Sequence, residues 1–279
     1  MSNTDMSTST TQSLAFFGAT GGVTNTTLAL ALKAHHYCTA LARTPQKLID
    51  MLRTAHSIPL ETIEAYLTIR TGDIKDVAAV SEVLKSHINS GELVDTIIFG
   101  IGSYPKLQWS LFQPITLQDI HICEHGTQTI FSALEGLIAQ GVTSTSSGAK
   151  PLMLSVSTTG ISRKARDVPW LLLPLYHWTL RVPHEDKRRA EHLLVNDDGA
   201  HIRDCVVVRP TLLTDAAPQG VEHVRAGWEW KGAGIEKEGV KEPGPQMGWT
   251  VGRKDVGAFM FENVIREGGW EGRCVSLTY

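Results

Sequence analysis

Several features that would assign a protein class at once are missing from this sequence of 279 residues. No apolar run approaches the ~18 residues needed to cross a bilayer, and the nearest candidate, residues 170–176, is far too short. Residues 1–12 consist almost entirely of Ser, Thr, Asn, Asp and Gln, so they lack the apolar core of a signal peptide. We therefore expect a disordered tail at 1–12 and no membrane-embedded segment.

The sequence also contains few cysteines and has little net charge. The four cysteines, at positions 38, 123, 205 and 274, are widely spaced and form no CxxC pair, which argues against a disulfide framework or a zinc site. Reduced thiols are typical of cytoplasmic proteins, and we predict that location. The formal net charge of −3 gives no electrostatic reason to expect nucleic acid or an anionic membrane as a partner.

What the chain does contain is a regular alternation of strand and helix patterns. Short apolar runs predict strands at 14–17, 37–42, 65–70, 94–99, 150–155, 205–208 and 274–277. Helical patterns predict helices at 24–34, 45–55, 77–88, 116–139, through 188–194, and at 254–267, and residues 215–248 read as irregular. This alternation is typical of an α/β fold with a parallel sheet.

The most informative stretch is a glycine-rich turn between the first strand and the first helix. Gly18 is suited to the tight turn off the strand, and Gly21 lets the backbone approach a pyrophosphate. The following helix would direct its N–H groups at the phosphates. The sequence thus predicts a Rossmann-type doubly wound parallel sheet that binds a dinucleotide.

The end of the second strand indicates which dinucleotide. An acidic residue there selects NAD, whereas an arginine accommodates the 2′-phosphate of NADP. Here the slot holds Arg43, followed by Thr44, with no carboxylate nearby. We predict NADP(H) as the cofactor; the alternative is that Arg43 is an ordinary solvated residue.

Further contacts are expected at the carboxyl ends of other strands, and each has a structural alternative. Asp73 would lie near the adenine or would cap a helix. The glycines of 100–102 would let the backbone pass close to the ligand, or would form a simple loop. The predicted cofactor contacts are Gly18, Thr20, Gly21, Gly22, Val23, Arg43, Thr44, Asp73, Ile74, Gly100, Ile101, Gly102, Pro210 and Leu212.

One motif points to different chemistry. Residues 121–125 match the HxxEH zinc-peptidase pattern, because His121 and His125 would share a helix face. The motif lies inside a repeating strand–helix pattern and no second acidic signature follows it. We predict packing or surface histidines and no metal.

These motifs together resemble an atypical short-chain dehydrogenase/reductase of the NmrA-like, NAD(P)H-binding kind. The resemblance covers nearly everything after residue 12 and rests on the glycine turn at 17–22, Arg43-Thr44, Gly72-Asp73, Ser157 with Thr158, Lys187 with Glu191, Arg209-Pro210 and residues 253–257. More weakly, the chain resembles fungal NmrA-like proteins of secondary metabolism. Where the family's third glycine is usual, this chain has Thr24, which could add a hydroxyl donor.

The resemblance also implies a catalytic set, with one departure. Family reductases use a Tyr-x-x-x-Lys pair; Lys187 matches the lysine, but the tyrosine position holds Pro183, which cannot transfer a proton. Tyr176 or His184 could supply the acid, while Ser157 and Thr158 would orient the substrate or merely turn the chain. Lys187 would hold the nicotinamide ribose or be a surface lysine.

We therefore expect a single domain over 13–279, with a small C-terminal substrate-binding cap drawn mainly from 160–186 and 215–250. The expected activity is NADPH-dependent reduction of a small apolar or aromatic carbonyl, quinone or imine. Alternatives are a non-catalytic NADP(H)-binding regulator or a redox-neutral cyclase or isomerase. The expected partner is a small-molecule substrate, and a homodimer is compatible with the sequence.

Overall fold

The computed structural model describes residues 11–102, 118–162, 164–171, 182–234, 236–237 and 239–279, and the backbone alone of 105–107, 115–117, 172 and 181. Within these residues, the helices are α1 Gly22–Lys33, α2 Pro45–His56, α3 Leu60–Tyr66, α4 Val77–Leu84, α5 Ile122–Ala139, α6 Arg181–Val195 and α7 Arg253–Phe259. A π-helix, Met260–Glu267, continues α7, and short 3-10 helices span Trp170–Leu172 and Val221–His223.

Eight strands form the central sheet. In chain order they are β1 Ser13–Phe17, β2 Tyr37–Ala42, β3 Leu67–Thr71, β4 Thr96–Phe99, β7 Leu152–Val156, β8 Asp204–Pro210, β10 Arg225–Trp230 and β14 Arg273–Thr278. Small ribbons outside the sheet pair β5 Pro105–Leu107 with β6 Ile115–Leu117, β9 Leu212–Thr214 with β13 Thr250–Gly252, and β11 Glu236–Lys237 with β12 Val240–Lys241.

The spatial order of the sheet, β3-β2-β1-β4-β7-β8-β14-β10, is that of a doubly wound fold. Each neighbouring pair is parallel except β10 with β14, which is antiparallel. The chain winds in one direction from β1 to β3 and in the other from β4 onward, so the ends of β1 and β4 flank a crevice. The predicted fold class is confirmed.

Both faces of the sheet are covered, as a parallel sheet requires. Alternate residues of β1 face opposite sides: Leu14 and Phe16 belong to the core beneath α1 and α7, whereas Ala15 and Phe17 belong to the core beneath α4, α5 and α6. All four side chains are fully buried. This two-sided burial fixes the end of β1, from which the glycine turn departs.

Several element predictions need correction. Residues 225–230 are a strand of the main sheet and not part of an irregular loop. The short alternation of Ala226, Trp228 and Trp230 lies within a segment rich in glycine, proline and charged residues, which favoured the prediction of a loop. Helix α3 was not predicted, and α5 begins at Ile122 and not near 116, since 115–117 is a strand. Helix α4 ends at Leu84, where the chain turns to bridge Lys85 with Leu93.

The N-terminal boundary also shifts. Gln12, predicted as part of the tail, accepts a hydrogen bond from Tyr37 N at 3.1 Å and donates its own N–H to His36 Nδ1 at 2.9 Å. Residues 1–10 lie outside the described residues. Along the part of the chain that is described, no helix has the length and apolar composition required to cross a membrane.

Candidate functional site

The glycine turn is built around a contact that only glycine allows. Gly18 has a φ of +87°, and a Cβ there would lie 2.8 Å from the carbonyl carbon of Gly100. The turn closes with a hydrogen bond from Gly21 N to Gly18 O at 2.8 Å. The end of β1 is thereby held against the end of β4, which is the crevice where doubly wound folds bind their ligands.

Helix α1 presents an uncapped N-terminus at this crevice. Among the described residues no side chain caps the helix at Gly21, and its first turn contains no acidic residue. Gly21 and Gly22 are exposed, so the positive end of the helix dipole lies at the surface. This cradle fits the diphosphate of a dinucleotide.

Thr24 occupies the position of the missing third glycine without obstructing the turn. Its Oγ1 lies 2.5 Å from Gly18 O and 3.2 Å from Gly21 O, so its proton is engaged inside the turn. A Cβ on Gly100 would lie only 2.2 Å from Thr24 Cγ2. Glycine at 100 therefore provides the space that the threonine needs, and its hydroxyl braces the loop.

Arg43 and Thr44 are exposed at the carboxyl end of β2. No ion-pair partner for Arg43 is found among the residues that the structure describes. Thr44 precedes α2 but its side chain makes no capping bond there. The guanidinium is thus available to an anion, as a 2′-phosphate site requires.

The residues after β3 divide between surface and core. Asp73 is exposed and accepts a hydrogen bond from Lys75 N at 3.0 Å, while Asp76 caps α4 through Ala78 N and Ala79 N. Asp76, not Asp73, is therefore the helix cap. Ile74 is buried, and a Cβ on Gly126 of α5 would lie 3.0 Å from it, so its side chain packs beneath α5.

Lys187 links the ends of the two central strands. Its Nζ donates to Ile101 O at 2.9 Å, beyond β4, and to Val156 O at 2.7 Å, the last residue of β7. Gly102, next to Ile101, is exposed with open space around it. Lys187 thus connects the ends of β4 and β7 and places its positive charge between them.

Ser157 lies immediately after β7 and is the most distinctive of the predicted substrate-orienting residues. Its side chain is buried, and its hydroxyl has no hydrogen-bond partner among the described residues. Its backbone N donates to Val208 O at 2.7 Å. The neighbouring Thr158 is half-buried and its hydroxyl donates to Thr159 O at 3.1 Å. A buried hydroxyl without a partner is costly, which suggests that a ligand supplies one.

The positions considered for the proton donor lie at or before the start of α6. Pro183 lies in the first turn of α6, where proline is tolerated because the missing N–H has no helical partner. His184 follows it and is buried. Tyr176 lies outside the described residues.

The last two predicted cofactor contacts lie at and just after the end of β8. Pro210 ends β8 and accepts a hydrogen bond from Thr159 N at 3.1 Å, whereas Leu212 is exposed on β9.

The HxxEH pattern does not form its own metal constellation. His121 and Glu124 come together with Asp186 of α6, within 4.8 Å, and His125 is not in that group. Both Asp186 oxygens accept helix N–H bonds, from Cys123 and Glu124 at 3.0 Å each. Asp186 thus caps α5 from the neighbouring helix, which explains the grouping without an ion. That no metal is used stays a prediction.

Sequence reasoning missed a buried charged network behind the site. Arg209 of β8 bonds Glu191 of α6 at 2.7 and 3.1 Å and Glu229 of β10 at 2.9 Å. Burial would lower the pKa of the Arg209 guanidinium, but Glu191 with Glu229 raises that pKa above its usual value. The one indication of this network in the sequence is the presence of Glu191 one helical turn after Lys187.

This network forms one wall of a cavity of about 490 Å³ beside α6. The lining residues come from α6, β8, β10, β14 and the loops at 161–164 and 231–233. Most of its cations are already paired, Lys164 with Glu242 at 2.8 Å and Lys231 with Asp204 at 2.6 Å. The cavity lies on the α6 side of the sheet and does not include the glycine turn.

No protein-family model matches the chain. Curated proteins similar to it include Reductase pytE of Aspergillus terreus, 39% identical over 276 residues that cover 95% of this chain and 97% of that protein. Oxidase pynE of Aspergillus niger is 35% identical over 286 residues, covering 95% and 98% respectively.

Solved structures support the fold. A Rossmann-fold NAD(P)-binding family protein from Shigella flexneri matches with a TM-score of 0.57 and 16% identity, covering 96% of this chain and 93% of that one. ChuY, an anaerobillin reductase from Escherichia coli O157:H7, matches with a TM-score of 0.56 and 18% identity over 95% of both chains. The narrower resemblance to NmrA-like proteins stays a prediction.

Proposed function

We propose that this chain, which belongs to the family of the fungal proteins named reductase pytE and oxidase pynE, is an NADPH-dependent oxidoreductase. Its substrate would be a small apolar or aromatic carbonyl, quinone or imine. The observation that carries the proposal is the pairing of an uncapped glycine turn with an exposed, unpaired arginine, Arg43, among the described residues. Together they offer sites for a diphosphate and for a 2′-phosphate.

The reaction requires the chain to position two molecules and manage one proton. When bound, the dihydronicotinamide supplies a hydride, which would reach the electrophilic carbon of the substrate. Ser157, whose buried hydroxyl lacks a partner among the described residues, would donate to the oxygen of a carbonyl or quinone or to the nitrogen of a neutral imine. Lys187, anchored on Ile101 O and Val156 O, would keep positive charge near the anion that develops on such a substrate.

The proton source is the point at which this chain departs from the usual reductase pattern. Pro183 cannot donate a proton, and the remaining candidates are His184, Tyr176 and solvent. A quinone or an iminium ion needs little acid assistance when it accepts a hydride. Pro183 therefore favours such substrates over simple ketones.

The cofactor preference is tested at Arg43. We expect Arg43→Ala to raise the Kd for NADPH about ten-fold or more, a loss of at least ~1.4 kcal/mol, and to leave the Kd for NADH nearly unchanged. The reason is that only NADPH carries the 2′-phosphate. Both constants are measured by titration of nicotinamide fluorescence.

Arg70→Ala is the matched control, because Arg70 is an exposed arginine on the neighbouring strand β3. It should leave both constants unchanged. Equal weakening of NADPH and NADH by Arg43→Ala would overturn the assignment of NADP(H) specificity.

A second candidate function, a non-catalytic NADP(H) sensor, is favoured by Pro183 alone. The two are separated by confirming NADPH binding and then screening quinones, imines, flavins and enones for loss of nicotinamide absorbance. Turnover of any of them supports the oxidoreductase. Binding without turnover across the panel supports the sensor, and product formed without net NADPH loss indicates a redox-neutral reaction.

A further inference from the structure

Arg253, the first residue of α7, lies directly over the start of α1. A Cβ placed on Gly22 would lie 2.8 Å from Arg253 Cδ and 3.5 Å from its Cβ. The guanidinium carbon is only two bonds beyond Cδ. The charge is therefore carried close to the glycine turn, although Arg253 is remote from that turn in sequence.

The position of Arg253 is fixed by close packing of α7 on α1. A Cβ on Gly257 would lie 2.5 Å from Val23 O, so the two helix backbones approach as closely as glycine allows. Thr27 Oγ1 donates to Gly257 O at 3.1 Å across the same contact. These contacts hold Arg253 in place independently of its charge.

The sign of this charge is unfavourable for the helix on its own. The N-terminus of α1 carries the positive end of the helix dipole, so a cation beside it is repelled unless an anion lies nearby. In the structure that anion is Asp215, whose carboxylate lies 2.8 Å from Arg253 Nη1. The Asp215 side chain is 85% exposed and that of Arg253 34%, and ion pairs this exposed contribute little stability.

We propose that Arg253 is a phosphate-binding residue of the cofactor site, and that the cofactor diphosphate displaces Asp215 from it. The inference rests on the proposed function and adds a second arginine with a different task. Arg43 would bind the 2′-phosphate of NADPH, whereas Arg253 would bind the diphosphate common to NADPH and NADH. A guanidinium suits this exchange because its fork of N–H groups matches phosphate as well as carboxylate oxygens.

The test uses variants that separate charge from packing. Arg253→Met keeps an unbranched stem over Gly22 and removes the charge, and Asp215→Asn removes the competing carboxylate. Binding of NADPH and NADH is measured by nicotinamide fluorescence, and binding of ADP-ribose, which has the diphosphate without the nicotinamide, by calorimetry. Arg203→Met is the matched control, since Arg203 is about as exposed as Arg253 and pairs with a carboxylate, Glu271, elsewhere on the surface.

We expect Arg253→Met to raise all three dissociation constants by a similar factor of about ten, or ~1.4 kcal/mol. Asp215→Asn should lower them about two- to five-fold, and should have no effect in the Arg253→Met background. Arg203→Met should change none of them. The three ligands respond together because all carry the diphosphate.

The outcomes that overturn the inference are distinct from failure of the proposed function. Unchanged constants in Arg253→Met, or weakening of NADPH alone, would exclude a role in binding the diphosphate. If Arg253→Met does not fold, Asp215→Asn decides, and unchanged affinity in that variant rejects the exchange. If the unaltered protein binds none of the three ligands, the proposed function itself is wrong.

Discussion

At the scale of single residues, the contact between Thr24 and Gly100 allows the glycine turn to form without its usual third glycine. A threonine in α1 would normally hold the helix away from the neighbouring strand end. Here its methyl group occupies the space that a side chain at position 100 would fill, and its hydroxyl bonds the turn. The two positions are therefore coupled, because a side chain at position 100 would require a smaller residue at position 24.

This coupling predicts the behaviour of Gly100→Ala. Its Cβ would lie 2.2 Å from Thr24 Cγ2, and overpacking of this kind costs about 1–3 kcal/mol of unfolding free energy. Adding Thr24→Ser removes the methyl group, keeps the hydroxyl and should recover most of the loss. Denaturant unfolding measures the effect.

The control for that measurement is Gly102→Ala, because a Cβ at this exposed position would meet none of the described residues within 4 Å. It should leave the unfolding free energy almost unchanged. If the two alanine variants were equally stable, or if Thr24→Ser gave no recovery, the two residues would not be coupled as the geometry indicates.

The residues that could be predicted from the sequence are those whose requirement is local. Gly18 is one, since the turn that follows β1 demands a positive φ at that residue. The position of Arg43 is another, since it directly follows a strand that the apolar pattern reveals. The Thr24–Gly100 contact and the position of Arg253 over α1 could not be predicted, because both depend on the packing of distant elements.

At the scale of elements, the same distinction separates the helices and strands that were predicted from those that were not. Strand β10 was not predicted because its short alternation lies in a segment rich in glycine, proline and charge, and because its buried Glu229 looks like a surface residue until Arg209 is placed beside it. The start of α5 was missed because its cap, Asp186, belongs to another helix. In both cases a polar residue acts through a long-range partner that sequence periodicity cannot reveal.

The cap on α5 yields a prediction about stability. We expect Asp186→Ala to lower the free energy of unfolding by about 1–2 kcal/mol, because two helix N–H groups lose their acceptor. Asp186→Asn should retain part of the stability, since its amide oxygen can still accept one bond. Chemical denaturation followed by circular dichroism measures both.

Glu185→Ala serves as the comparison, because Glu185 is the exposed neighbour on α6 and pairs with the surface residues Arg188 and Arg189. Pairs of that kind contribute little, so this variant should unfold almost as the unaltered protein does. Equal losses at positions 185 and 186 would contradict the assignment of Asp186 as the cap of α5.

At the scale of the whole molecule, α6 joins the candidate site to strands β8 and β10 of the sheet. Its Lys187 holds the ends of β4 and β7, and its Glu191 is tied through Arg209 to β8 and β10. Breaking one partner of such a buried ionic network leaves a charge uncompensated, which is strongly destabilising. The geometry around Lys187 therefore depends on strands that lie outside the crevice.

The reactivity of the four cysteines measures how well the folded chain shields its core from solvent. All four are free and buried, and they lie on β2, α5, β8 and β14, so they sample both faces of the sheet. Burial raises the pKa of the Cys123 thiol to about 11 and that of Cys274 to about 12. Because the thiolate is the reactive form, both burial and protonation suppress reaction.

We expect no thiol of the native protein to react rapidly with an aromatic disulfide reagent between pH 7 and 9, and all four to react in denaturant. Absorbance of the released thiolate counts them. Ser90→Cys, at an exposed position, should add one thiol that reacts at once in the native state. Rapid reaction of Cys123 would instead show that the start of α5 opens, since its Sγ lies 3.3 Å from Ile101 O, the same carbonyl that Lys187 binds.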